Sequence, residues 1–252
     1  MAATTLPGIR RVEHVMGMPI VVDVRDRGGD GTLDELFAWL REVDARFSTY
    51  REDSDIRRLD RGELALEDAH PDVREVLDRC EALRLETEGY FDARGTGRLD
   101  PSGLVKGWSV DRGAAILDAA GLRNYAINAG GDVRLAGGAL PDDHWRVGIE
   151  HPEQHDRIAA TAGLRGGAIA TSAAYARGDH VLDPHTGLPP ADVLSVTITG
   201  PELGTADAYA TAAFAMGLNG PAWTATLRGY EALTILAGGR VLSTPGFPRA
   251  AD

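Results

Sequence analysis

The chain has very little cysteine. Cys80 stands alone among 252 residues, so no internal disulfide can form, and its place on the apolar side of a helical pattern makes it a small core residue. Long hydrophobic runs are missing as well. No stretch approaches the length of a membrane span, and Met1 to Arg10 holds no apolar run of signal-peptide length, so the expectation is a cytoplasmic chain without membrane insertion. Basic patches are absent: Arg10-Arg11 and Arg57-Arg58 are interleaved with acids, the formal net charge is −12 and the pI is near 5.0. That balance argues against a nucleic-acid groove or an anionic membrane surface as partner. Several signatures of chemistry are lacking too. The seven histidines are scattered without zinc spacing, no Gly-x-Gly-x-x-Gly follows a strand, no Walker loop is present, and no Gly-x-Ser-x-Gly elbow marks a hydrolase nucleophile.

What is present is enough apolar material, 43% of residues, to bury a sizeable core. With no low-complexity linker, internal repeat or clean boundary, residues 1–252 read as a single domain. Leu33, Leu36, Phe37, Leu40, Val43 and Phe47 recur at helical spacing, as do Val73, Val76, Leu77, Cys80 and Leu83. Between these helices, Ser48 to Asp60 reads as a polar loop in which Tyr50 is an aromatic without an apolar neighbour. Strands are expected over Val12 to Val24 with an interruption at Met16 to Pro19, at Tyr125 to Ala129 and Val133 to Ala136 around a tight turn, and at 145–150, 158–164, 168–173, 193–199, 232–237 and 241–244. Helices are expected after Asp100, at Thr205 to Met216 and at Pro221 to Leu227. Strands outnumber helices, and many links are too short for a crossover helix. The pattern predicts an α+β fold with a largely antiparallel or mixed sheet and flanking helices.

Three segments could carry chemistry. Asp100-Pro-Ser-Gly-Leu-Val-Lys-Gly-Trp-Ser-Val-Asp111 is a glycine-bearing loop entering a helix, and free backbone N–H groups, a helix dipole and one lysine suit a phosphate-bearing ligand. A lysine in such a turn is nonetheless often only solvated. In a helix capped by Thr205, Asp207 and Thr211 are four residues apart, so a carboxylate and a hydroxyl share one face. They could hold a hard cation, or Asp207 could simply complement the helix dipole. His180 and His185 bracket an Asp-Pro turn, where His180 could act as a general base or be solvated. Gly130-Gly131-Asp132 could let a ligand approach the main chain, or be a plain hairpin turn.

Taken in order, these segments resemble the ApbE-type flavin transferases, also called FAD:protein FMN transferases. Met16-Gly-Met-Pro19 resembles the family's Met-Gly-Thr, Phe47-Ser-Thr-Tyr50 its Phe-Ser-x-Tyr, and Asp100 to Asp111 its Asp-Leu-Gly-Gly-Ile-Ala-Lys-Gly-Tyr-Ala-Val-Asp. Asn128-Ala-Gly-Gly-Asp132, Ala170-Thr-Ser, His180-Val-Leu-Asp-Pro-His-Thr-Gly187 and Ala206-Asp-Ala-Tyr-Ala-Thr211 are similar to later family motifs. The resemblance implies a T-fold-like architecture and a magnesium-dependent reaction. FAD is split to AMP, and FMN is joined by a phosphoester to a Ser or Thr in the flavinylation motif of an acceptor protein. It further implies that Asp207, Thr211 and the Gly103 carbonyl hold Mg2+, that Met16, Asp100, Lys106 and Val181 contact FAD, that Tyr50 stacks on the isoalloxazine, and that His180 assists proton transfer. Water in place of the acceptor would give FAD hydrolysis, and loss of turnover would leave a flavin-binding protein. Two departures stand out: Phe91 to Asp100 is shorter than the family's segment, and Met18 replaces the Thr after Met-Gly. The chain also lacks the lipobox cysteine of exported members.

Overall fold

The structure, a computed structural model, describes residues 8–95, 97–139, 142–173 and 181–250. The chain opens with a hairpin, β1 (Ile9–Val15) and β2 (Met18–Val24), followed by α1 (Asp30–Phe47), α2 (Asp55–Asp60), α3 (Pro71–Glu86) and α4 (Ser102–Ala119). Six strands follow: β3 (Tyr125–Ala129), β4 (Asp132–Ala136), β5 (Trp145–His151), β6 (Gln154–Leu164), β7 (Gly166–Ala173) and β8 (Val193–Gly200). Helices α5 (Leu203–Ala215) and α6 (Gly220–Thr224) and strands β9 (Glu231–Leu236) and β10 (Val241–Ser243) complete the order.

Eight strands form one sheet in the order β1-β2-β3-β4-β7-β8-β9-β10, with every neighbouring pair antiparallel, and β5 and β6 form a separate two-stranded sheet. The α+β class with an antiparallel sheet is as the sequence predicts. Alternation sorts the side chains of β3, β4, β7 and β8 to two faces. Tyr125, Ile127, Ala129, Ala168, Ala170, Val196 and Ile198 enter the larger core beneath the helices, whereas Val133, Leu135 and Ile169 join Trp145, Ile149, Ala162 and Phe247 in a smaller one.

The burial of the helices explains the layering. Helix α1 buries one stripe of six apolar residues, as an outer helix should. Helix α4 buries Leu104, Val105, Trp108, Val110, Ala114 and Leu117 around its circumference, and α5 is buried almost throughout and rich in alanine. They are central helices: α5 packs on β7 and β8, and α4 packs between α5 and α1.

Two sequence expectations need correction. The segment read as a loop from Ser48 to Asp60 contains α2, because Ser54 accepts a hydrogen bond from the Arg57 amide and caps a turn that buries only Ile56. A single anchoring residue leaves no periodic signal to read. Helix α5 starts at Leu203 and is not capped by Thr205. Its first amides, Leu203 N and Gly204 N, donate to the Asp111 carboxylate of α4 at 3.0 and 2.9 Å, a cap supplied through space.

Candidate functional site

The site is assembled at one end of the sheet, where two glycine-built contacts bring distant segments together. The first is the α4–α5 crossing. A Cβ on Gly107 would lie 2.6 Å from the Gly204 Cα, and one on Gly204 would lie 3.0 Å from the Trp108 amide nitrogen, so the helices meet backbone to backbone. Asp111, one turn beyond Gly107, caps α5 and also pairs with Arg134 at 3.2 Å. Burial drives the Asp111 carboxyl above its ordinary pKa, against the pull of the Gly204 and Leu203 amides.

This crossing sets Lys106 beside Asp207. The Lys106 ammonium lies 3.3 Å from Asp207 Oδ2 and also pairs with Asp132 Oδ2. Asp132 and Asp207 are 2% and 4% exposed, depths at which acids are almost always paired. Asp132 Oδ1 accepts a hydrogen bond from the Thr171 amide at 2.9 Å. One helical turn after Asp207, Thr211 Oγ1 meets Ser172 Oγ of β7 at 3.2 Å. The result is a cluster of two carboxylates, two hydroxyls and one ammonium drawn from α4, α5, β4 and β7.

The second contact joins two turns. Met16 and Gly17 take φ values of 54° and 73° between β1 and β2, and Gly130 and Gly131 take 62° and 104° between β3 and β4. Paired positive φ angles suit tight two-residue hairpins. A Cβ on Gly130 would stand 2.9 Å from Met18 Sδ, so the two turns touch, and Asn128 Oδ1 accepts from the Gly131 amide at 3.0 Å. A methionine in the left-handed region is strained, and such strain concentrates at functional sites.

The remaining sequence-identified positions are held by contacts of their own. Gly103 lies in the first turn of α4, where an added Cβ would meet the Phe91 ring at 3.1 Å. Asp100 is exposed and its Oδ1 accepts from the Ser102 amide, while the amides of Leu104 and Val105 donate to the Pro101 carbonyl. The helix entrance read as an open phosphate cradle is therefore partly closed by its own residues, and its lysine is turned to the buried acids. Tyr50 is 92% exposed, at the end of a loop anchored by Phe47, whose ring packs 5.6 Å from that of Trp108. Val181 is half-buried against the larger core. His180 lies outside the described residues. The sequence reading missed Asp132 as a partner of Lys106, Ser172 as a partner of Thr211, and Asp111 as the cap of α5. Their sole local signal was membership in segments quoted for other reasons.

The donor set suits a hard divalent cation. Asp207, Thr211 and Ser172 offer oxygen only, the ligand type that Mg2+ prefers, and one ammonium set against two buried carboxylates leaves negative charge in this group. Among the described residues no cluster of three or more His, Cys, Asp or Glu is arranged to hold a metal. An ion here would rely on hydroxyl and carbonyl oxygens and on its substrate. No helix among the described residues is long and apolar enough to cross a membrane.

Fold and site together define a member of a known class: the sequence matches the ApbE family over residues 16–96 and 93–234, and the chain belongs to that family. It is 34% identical over 169 residues to the FAD:protein FMN transferase of Vibrio cholerae, an alignment covering 60% of this chain and 51% of that protein. The chain thus spans about half the length of this curated relative. Among solved structures, the flavin transferase ApbE from Vibrio cholerae superposes with a TM-score of 0.83 at 25% identity, covering 95% of this chain and 98% of that one. The ApbE protein from Thermotoga maritima does so with a TM-score of 0.82 at 22% identity, covering 96% and 100%.

Proposed function

We propose that this chain is an FAD:protein FMN transferase: it splits the pyrophosphate of FAD, releases AMP, and joins FMN through a phosphoester to a Ser or Thr hydroxyl of an acceptor protein. The observation that carries this reading is the Lys106 ammonium held between Asp132 and Asp207 beside the Thr211–Ser172 hydroxyl pair, in a chain whose relatives bear that activity in their names. Displacement at a pyrophosphate asks a protein mainly for positioning and charge stabilisation, and this cluster supplies fixed charge in a largely dry setting.

In this reading residues 1–252 act as one domain. Lys106 binds pyrophosphate oxygens, Met16, Asp100 and Val181 contact the nucleotide, and the exposed Tyr50 ring covers the isoalloxazine. His180 takes the proton from the attacking hydroxyl, because the phosphoester forms only as that O–H bond is lost. Asp207, Thr211 and the Gly103 carbonyl would hold Mg2+, which when bound neutralises charge on the pyrophosphate. The acidic chain and its site require no nucleic acid or lipid partner.

The test is incubation with FAD and Mg2+, with and without a peptide bearing a Ser/Thr flavinylation motif, while AMP and peptide mass are followed together. Transfer predicts a Mg2+-dependent gain of one FMN residue on the peptide. AMP released with the peptide unmodified would replace transfer by hydrolysis, and bound FAD without AMP would leave a carrier. Asp207→Ala should lower the Mg2+-dependent rate roughly 100- to 1,000-fold, the scale on which single electrostatic groups act; near-normal turnover in that variant would overturn the metal assignment.

A further inference from the structure

Lys106 is the sole lysine in the sequence; every other member of the 26 Lys and Arg residues is an arginine. The two side chains are not equivalent. Arginine presents a rigid planar fork, whereas lysine carries a compact charge on a flexible four-carbon stem. Such a stem must be held if its charge is to stand in one place. Asp207 alone is a poor holder under the function proposed above, since a divalent cation on Asp207 would repel an ammonium 3.3 Å from the same carboxylate.

Asp132 is built differently. It follows the Gly130-Gly131 turn, is buried, and has one oxygen tied to the Thr171 amide of the adjoining strand while the other faces Lys106. Bonded to sheet backbone, it cannot follow the lysine or swing to solvent. We propose that Asp132 is a positioning residue for Lys106: it keeps the ammonium seated in the site while Asp207 is engaged elsewhere, so that lysine and divalent cation can face the same pyrophosphate. This rests on the FAD-binding reading of the site.

The experiment measures FAD affinity by flavin fluorescence on the full chain in EDTA, so that neither a metal nor turnover enters. Four proteins are compared: wild type, Asp132→Asn, Lys106→Met and the double variant. Asparagine preserves volume and can still accept the Thr171 N–H. Removing a negative charge beside an anionic ligand should by itself tighten binding. Acting through Lys106, Asp132→Asn should instead weaken it at least tenfold, and change it less than twofold when Lys106 is already Met, the signature of coupled residues in a double-mutant cycle. Unchanged or tighter FAD binding in Asp132→Asn overturns the proposal and leaves the function standing. An equal loss in both backgrounds also overturns it, by showing a structural role. A wild-type chain that binds no FAD in EDTA overturns the proposal, and one that binds none with Mg2+ either removes the function as well.

A second measurement reads the contact directly. With 15Nζ-lysine and 13C-carboxyl aspartate labels, the single lysine gives one side-chain ammonium resonance. In Asp207→Asn, which removes the second carboxylate near this ammonium, its coupling across a hydrogen bond to an aspartate carboxylate should persist when FAD is added in EDTA. Loss of that coupling on adding FAD overturns the proposal.

Discussion

The two faces of the eight-stranded sheet are covered in opposite ways. On one, α4 and α5 cross backbone to backbone at Gly107 and Gly204, surrounded by a large core, and place buried charge at their junction. On the other, the β5–β6 hairpin rests on a smaller apolar cluster anchored by Trp145, whose indole N–H donates to the Ala136 carbonyl at 2.9 Å. Residues 154–157 at the start of β6 are exposed. The helical face uses absence of side chain to bring chemistry together, and the hairpin face uses bulk to close the sheet. Precision resides where atoms have been removed.

That contrast can be broken at Gly107. A methyl group there meets Gly204 backbone at 2.6 Å, and backbone cannot rotate away. Gly107→Ala should cost roughly 3 kcal/mol, the upper range for overpacking, and should also weaken FAD binding by separating Lys106 from Asp207. Urea unfolding and fluorescence titration read the two effects, and a stable variant with wild-type affinity would show that the crossing does not set the site. Gly204→Ala, with its nearest contact at 3.0 Å, should cost less.

Trp145→Phe sharpens the same comparison from the other face. Losing the indole N–H bond and some volume should cost about 1–2 kcal/mol with FAD affinity unchanged; a fall in affinity would mean that the hairpin face communicates with the site. Smaller still is Asp26, on the link between β2 and α1. Burial raises its pKa, but the Asn124 side chain and the Asn124 and Arg123 amides outweigh that and hold it below the ordinary value of 3.8. A lowered folded pKa stabilises above the unfolded value and is lost as pH falls through the folded one. Asp26→Ala should therefore cost about 1 kcal/mol near neutrality, and the gap between variant and wild-type unfolding curves should close below pH 3.8. An unchanging gap would refute the ionic origin. Least affected is Cys80: burial pushes its thiol up to about 12, so the folded chain should resist thiol reagents at pH 8, and rapid labelling would show that the helix layer opens.

Much of this was legible in sequence. The apolar periodicity of α1 and α3 and the alternation of the strands follow from one-sided burial, a pattern that local spacing records. The Asp207–Thr211 face was legible too, because four residues make one helical turn. Asp111 and Asp132 were not, since their roles depend on partners far along the chain: a capped amide at Leu203, a backbone N–H at Thr171. Helix α2 escaped because a single buried isoleucine makes no period, and Thr205 misled because a good local cap lost to a carboxylate arriving from another helix.

The Gly107–Gly204 crossing also governs when the site can exist. Lys106 and Asp207 are separated by roughly a hundred residues of chain, and closure of so long a loop comes with consolidation of the fold, after local helices and hairpins have formed. A fragment that ends before α5 holds Lys106, Asp132 and Ser172 but lacks Asp207 and Thr211. The complete cluster therefore exists only where α5 is docked on α4, and a single backbone-to-backbone contact decides whether charges roughly a hundred residues apart meet.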